Sequence, residues 1–293
     1  MRLLISLSIA IAAVLYALWG ERPVAAVEPT RTFRVATFNI HKGADNENRY
    51  TLDRTIAAIA ALEADVVGVQ EAMRNDPQLR CDDQPALMAD GLRRITGERW
   101  SHAYARSWTT ENRACLEQRR GDGVATEGVA ILTRHRILTS EELPLAESRV
   151  ALMVRVAAMP DVPVIVTHLA ASRRNQHQRV AQIGQLLPWA RRLGPGILIG
   201  DFNARPEWPE AAPLLAGYKD AWVDAWERGI TSGVPHGGTR PFGTSRIDFV
   251  LYALDAPLTV TSAAVLSTAA EDDEVEVSDH RPVIATFRRQ TAR

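Results

Sequence analysis

Polar side chains of only four kinds stand where short apolar runs end. Asn39 closes RVATFN, Glu71 follows DVVGVQ, and His168 lies within VIVTHL. Asp201 and Asn203 follow GILIG, Asp248 lies within RIDFVLY, and Asp279 and His280 directly precede PVIATF. Taken singly, each has an ordinary explanation. A strand-end Asp is commonly a turn former or a cap, and a lone His on an apolar run is a satisfied core residue. Asp248 could pair with Arg246, and Asp201 could cap a helix opened by Pro206 and Glu207. Together they are harder to explain, because a carboxylate at the edge of an apolar strand is costly unless paired or metal-bound. Carboxylates, amides and imidazoles are the groups that a hard cation and a transferring phosphoryl group require. No G-x-S-x-G, H-E-x-x-H or G-x-x-x-x-G-K-[ST] pattern competes with that reading.

Strands must carry these residues. Residues 34–40, 65–70, 128–133, 150–158, 163–169, 196–200, 246–252, 258–266 and 282–287 read as strands. Helical spacing joins Leu52, Ile56 and Ile59 behind a Thr51 cap, then Met88, Leu92 and Ile95, then Val180, Ile183 and Leu187 within 176–192. Strands outnumber helices and simple crossover repeats are few. That predicts sheets packed on each other with helices outside, in one domain spanning residues 32–289.

The ordered set TFNI (37–40), QE (70–71), GVAILTR (128–134), THL (167–169), GDFN (200–203), RIDFVLY (246–252) and SDH (278–280) resembles the endonuclease/exonuclease/phosphatase superfamily. The resemblance implies an α+β fold, a four-layer α/β/β/α sandwich of two mixed sheets face to face with outer helices. It implies Mg²⁺-dependent hydrolysis of a phosphate ester, with Mn²⁺ as a substitute. Glu71 would be the principal metal ligand, with Asn39 beside it as ligand or support, and Asp279 would complete or support the site. Asp201 would orient or deprotonate the attacking water, and Asn203 would donate to a phosphate oxygen. His280, held by Asp248, would be base or phosphate clamp. His168 would stabilise the transition state or protonate the leaving oxygen, and Glu127 is a candidate partner for it. His41, next to TFNI, borders the cleft in this reading.

The substrate is not legible. A general phosphodiester, a nucleic acid, and a phospholipid or inositol phosphate all remain open, as does a catalytically inactive binding module on the same fold. The formal net charge of −1 over 293 residues offers no global basic field for nucleic acid. Arginines at 113, 119, 120, 173 and 174, and the stretch 236–241 before RIDF, are candidate rim groups or a solvated face. The acidic run Glu271, Asp272, Asp273 and Glu274 reads as a solvated loop. At the N-terminus, Arg2, an apolar stretch over 3–19 and small residues to Ala26 read as a secretory signal. An uncleaved membrane anchor over 1–26 is the alternative. Export permits a disulfide between the two cysteines, Cys81 and Cys115.

Overall fold

The computed structural model describes residues 32–111, 113–270 and 274–290. The leader and the residues Glu271, Asp272 and Asp273 lie outside the described residues. One sheet has seven strands in the order β10 (Thr231–Gly233), β12 (Leu258–Val265), β13 (Val283–Arg289), β1 (Thr32–Asn39), β2 (Val66–Arg74), β4 (Val124–Thr133) and β3 (Ser101–Glu111). The other has six: β5 (Ile137–Leu145), β6 (Arg149–Val156), β7 (Met159–His168), β8 (Ile197–Asp201), β11 (Asp248–Ala253) and β9 (Tyr218–Asp220). Both sheets are mixed: β1 runs parallel to β2, and β7 parallel to β8, amid antiparallel neighbours.

The helices are α1 (Leu52–Ala61), α2 (Gln84–Thr96), α3 (Ala114–Glu117), α4 (Gln176–Leu193), α5 (Ala212–Gly217) and α6 (Ala221–Glu227). β1 shows how the layers are built. Val35 points into the core shared by the two sheets, whereas Ala36 and Phe38 join Ile56, Ile59, Met88 and Leu92 beneath α1 and α2. Both faces of the strand are covered, so it reads as a nearly continuous apolar run. On the far side, Ile183, Leu186, Leu187 and Trp189 of α4 close over the second sheet. This is the expected α+β sandwich.

Three local expectations are corrected. Thr51 makes no side-chain cap bond, and its hydroxyl is buried without a partner. Val180 is exposed, because α4 turns Arg179 rather than Val180 inward. Ile95 is likewise exposed at the end of α2. Between β2 and β4 the chain forms α2, β3 and the short α3. A disulfide joins Cys81 to Cys115 there, and Arg120 pairs with Asp82 beside it.

Candidate active site

Strand register assembles most of the site. On the second sheet His168 pairs with Asp201, and Asp201 with Asp248, so the ends of β7, β8 and β11 set three titratable groups in one cross-strand row. Gly200 permits the close approach of β7 and β8: its φ is +148°, and a Cβ there would lie 2.0 Å from the Thr167 carbonyl oxygen. From the first sheet comes Asn39, at the end of β1. Its Nδ2 donates to Glu71 Oε1 at 3.1 Å and, across the sheets, to Asp201 Oδ2 at 3.2 Å. Glu71 sits at a β-bulge between Val69 and Ala72, with φ +57°. A bulge re-aims a side chain that regular pleating would direct elsewhere.

His280 is carried by the turn before β13. Ser278 Oγ donates to the Asn39 carbonyl at 2.7 Å and accepts from the His280 amide at 3.1 Å, tying that turn to the end of β1. His280 Nδ1 lies 2.9 and 3.1 Å from the two oxygens of Asp248. Its Nε2 lies 3.8 Å from Asp201 Oδ2. Burial alone would push the imidazolium pKa down, but the carboxylates of Asp248 and Asp201 outweigh it and raise His280 to about 9. Asp201 is pushed up to about 7, by burial first and then by the charge of Asp248. The two groups are driven apart in character: one is kept as a cation, the other becomes a carboxyl able to take a proton near neutrality.

His168 has a partner that the sequence reading missed. Arg149 Nη1 lies 3.2 Å from His168 Nδ1, and 3.9 Å from Glu127 Oε1. Glu127 therefore does not pair with His168. Arg149 stands between them, and Lys42 lies 3.7 Å from the other Glu127 oxygen. A guanidinium can only donate, so Nδ1 of His168 accepts and Nε2 carries the proton. Burial and then Arg149 hold His168 well below the usual imidazole range, that is, neutral. Glu127 is raised by burial and by the nearby charge of Glu71. Arg149 opens β6 at its edge, where an arginine in the sequence has the look of a solvated charge.

Arg179 fixes the chain beyond His168. It is fully buried, bonds Glu210 through Nε and Nη2 at 3.1 and 2.7 Å, and donates Nη1 to the carbonyls of Ala170 and Ser172. A fully buried charge is tolerated only when paired and hydrogen-bonded in this way.

Several N–H donors come close to one another, with the Asp201 carboxylate beside them at 3.6 Å from His168 Nε2 and 3.8 Å from His280 Nε2. Asn203 Nδ2, which also donates to the Leu169 carbonyl, lies 3.1 Å from the protonated Nε2 of His168. Arg240 Nη1 lies 3.2 Å from Nε2 of His280. One anionic oxygen placed beside each pair would accept from both members.

The expected metal residues divide. Glu71 is half-buried, has no cation within ion-pair distance among the described residues, and commits only Oε1, to Asn39. That is a donor fit for a hard divalent ion. Asn39 spends its Oδ1 on the His41 amide at 3.0 Å and its Nδ2 on Glu71 and Asp201, so it orients Glu71. Asp279 turns to Arg240 at 3.1 Å, with His41 at 3.9 Å. A second metal-capable set, Asp201, Asp248 and His280, has ligand atoms within 4.8 Å of one another, but its imidazole is already engaged by Asp248. A recess of about 600 Å³ among Arg34, Glu63, Glu98 and Arg134 lies at the other end of β1 and shares no residue with this cluster.

Two mixed sheets thus lie face to face, with a paired acid–imidazole set where strands of the second sheet end. The chain belongs to the endonuclease/exonuclease/phosphatase family, whose sequence model (Endonuclease/Exonuclease/phosphatase family) matches residues 36–280. Members of that family are generally divalent-metal-dependent hydrolases of phosphoesters. Among curated proteins no sequence matches. Among solved structures, an endonuclease/exonuclease/phosphatase from Beutenbergia cavernae DSM 12333 is similar, with TM-score 0.68 and 22% identity, over 89% of this chain and 72% of that one. The human Nocturnin catalytic domain with bound sulfate anion is similar at TM-score 0.62 and 20% identity, over 88% and 95%. D. rerio TDP2 complexed with single strand DNA product is similar at 0.60 and 18%, over 88% and 99%.

Proposed function

We propose that the chain is a phosphodiesterase in which Asp201 takes the proton of the attacking water while an imidazolium–amide–guanidinium cradle holds the phosphoryl oxygens. The convergence of donors from His168, Asn203, His280 and Arg240 carries this reading. Glu71 would hold the divalent ion, oriented by Asn39, and the ion would supply positive charge to a phosphoryl oxygen. His280 is the fixed cation, kept charged by Asp248. Neutral His168 donates its Nε2–H to the oxygen that gains charge, and Arg149 keeps the proton on that nitrogen. Asp279 positions Arg240. Mg²⁺ is the ion taken for this site, with Mn²⁺ able to replace it.

The test is hydrolysis of methyl p-nitrophenyl phosphate against p-nitrophenyl phosphate, with Mg²⁺ and with EDTA. The diester should be preferred, and EDTA should abolish turnover. Glu71→Gln should weaken metal use and recover part of its rate in excess Mg²⁺. His280→Ala should lose about 10²–10⁴-fold and gain nothing from added metal. Activity that survives EDTA, or equal metal rescue of both variants, would overturn the assignment. A DNA-product complex of the similar D. rerio TDP2 favours a nucleic-acid diester as the second, narrower reading.

Residues 1–26 are taken as an export leader or anchor, a reading supported by the Cys81–Cys115 bond. Fractionation that finds the protein wholly in the cytoplasm would refute export.

A further inference from the structure

β1 and β2 run side by side only as far as Asn39. Their register ends at the Asn39–Gln70 pair, and the Ile40 amide adds one bond to the Gln70 carbonyl at 3.2 Å. The chain after β1 then turns away through His41 and Lys42, at φ +48° and +59°. β2 continues through the bulge at Glu71 to Arg74, paired on its other side with β4. The two strands therefore separate where one presents Asn39 and the other Glu71. A strand whose neighbour departs is left with buried backbone groups that need another partner.

Gln84, the fully buried first residue of α2, supplies that partner. Its Oε1 accepts from the Met73 amide, two residues past Glu71, at 2.8 Å. Its Nε2 donates to the Lys42 carbonyl at 2.6 Å and lies 3.4 Å from the Tyr50 hydroxyl, which itself donates to Asp82 at 2.8 Å. The hydroxyl hydrogen is spent on Asp82, so the oxygen can only accept from the amide, and that fixes which way round the amide sits. One side-chain amide thus replaces a peptide unit between the separated strands, with its acceptor toward β2 and its donor toward the departing chain. Gly43, at φ +77°, makes room for it: a Cβ there would lie 3.2 Å from Gln84 Nε2 and 2.9 Å from the Tyr50 ring. Asp83, the cap of α2, bonds Arg74 at 2.9 Å, so the residue before Gln84 is also clamped to β2. In the turn that Gln84 holds, the His41 amide donates to Asn39 Oδ1 at 3.0 Å, which leaves Asn39 Nδ2 to face Glu71.

We propose that Gln84 is a positioning residue for the metal ligand. By tying the Lys42 turn to the strand that bears Glu71, its amide holds Asn39 against Glu71 and so sets the affinity for the divalent ion rather than the rate of the chemical step. Partners that orient a ligand from behind typically change metal affinity or activity by about 10–100-fold. This rests on the assignment of Glu71 as the ion's ligand in the reading above.

The experiment titrates Mn²⁺ by calorimetry, without substrate, into wild type, Gln84→Met, Tyr50→Phe and Leu92→Ala. Each titration is paired with a thermal melt and with rates on methyl p-nitrophenyl phosphate against Mg²⁺ concentration. Gln84→Met keeps the volume and loses the amide bonds, so the Mn²⁺ Kd should rise about 10–100-fold while kcat at saturating Mg²⁺ stays near that of wild type. Tyr50→Phe removes only the hydroxyl beside Nε2 and should raise Kd by less. Leu92→Ala opens a cavity under the same helix, so it should lower Tm and leave Kd unchanged. An unchanged Kd in Gln84→Met would overturn the proposal, as would an unchanged Kd in Tyr50→Phe should Gln84→Met fail to fold. So would an equal rise in Leu92→Ala, or a loss in kcat alone. A wild type that binds no Mn²⁺ would overturn it whether or not the diester is cleaved. Mn²⁺ binding that depends on Gln84, in a protein inert toward the diester, would sink the phosphodiesterase reading and leave the role of Gln84 standing.

Discussion

Replacing Asp248 with Asn leaves the shape of the site almost intact and removes one charge. The carboxylate lies 2.9 and 3.1 Å from His280 Nδ1, so the amide oxygen of Asn can still accept that N–H. What disappears is the largest cause raising the His280 pKa from 6.5 to about 9, an imidazolium preference of about 3 kcal/mol. Burial is then opposed only by Asp201 and Asp279, so the His280 pKa falls from about 9. If the cation holds the phosphoryl group, the alkaline limb of the rate profile moves to lower pH, and the deficit shrinks as the pH is lowered. Asp201 loses a repelling neighbour at the same time, so its pKa falls and the acid limb moves down too. The whole profile therefore shifts to acid. The assay is kcat/KM on methyl p-nitrophenyl phosphate from about pH 5 to about pH 10, at saturating divalent ion. Stability carries the same sign. A raised histidine pKa contributes fully below 6.5 and is lost as pH rises through about 9, so the Tm gap between wild type and variant should narrow above that point. A loss of equal size at every pH, or a wild-type rate that climbs through pH 9, would show that His280 works as a base and refute the cation assignment.

Arg149→Met should free His168 Nδ1 and let the His168 pKa rise, giving about a 10–100-fold loss near neutrality and a new acid limb in the pH–rate profile. Arg149→Lys, which keeps a cation, should restore part of the rate. Gly200→Ala would set a Cβ 2.0 Å from the Thr167 carbonyl at an unsuitable φ, so urea titration should show a loss of about 3 kcal/mol, with kcat reduced in the protein that remains folded. Replacing Cys81 and Cys115 by Ser opens a link across a sequence separation of 34 and should cost about 3–4 kcal/mol in urea, with kcat at low temperature retained.

The site was legible where burial and polarity conflict in the sequence itself. Asp201 and Asp248 stand inside or directly after apolar runs, and such a conflict is visible without coordinates. Arg149 was not, because an arginine at a strand edge reads as a solvated charge and only the fold turns it toward an imidazole; Arg240 was placed in a candidate rim stretch, but its approach to His280 was not foreseen. Glu127 illustrates the same limit: it was a candidate partner for His168, but an arginine stands between the two. β3 and β5 escaped because they lie at sheet edges and alternate half-buried with exposed positions, which weakens the apolar signal. The exposure of Val180 has a tertiary cause. The inward place on α4 goes to Arg179, which no apolar periodicity reveals and which the chain after His168 requires.

The bond from Asn39 to Asp201 joins a residue of one sheet to a residue of the other. The reacting groups are therefore distributed over two slabs whose spacing is set by the apolar side chains between them. A methyl group added to or removed from that interlayer, well away from any reacting atom, alters the slab separation and so the gap that the substrate must fit. Turnover then serves as a gauge of interlayer thickness: small core substitutions should scale catalytic rate before they register as unfolding, whereas changes in the outer helices should leave it nearly untouched.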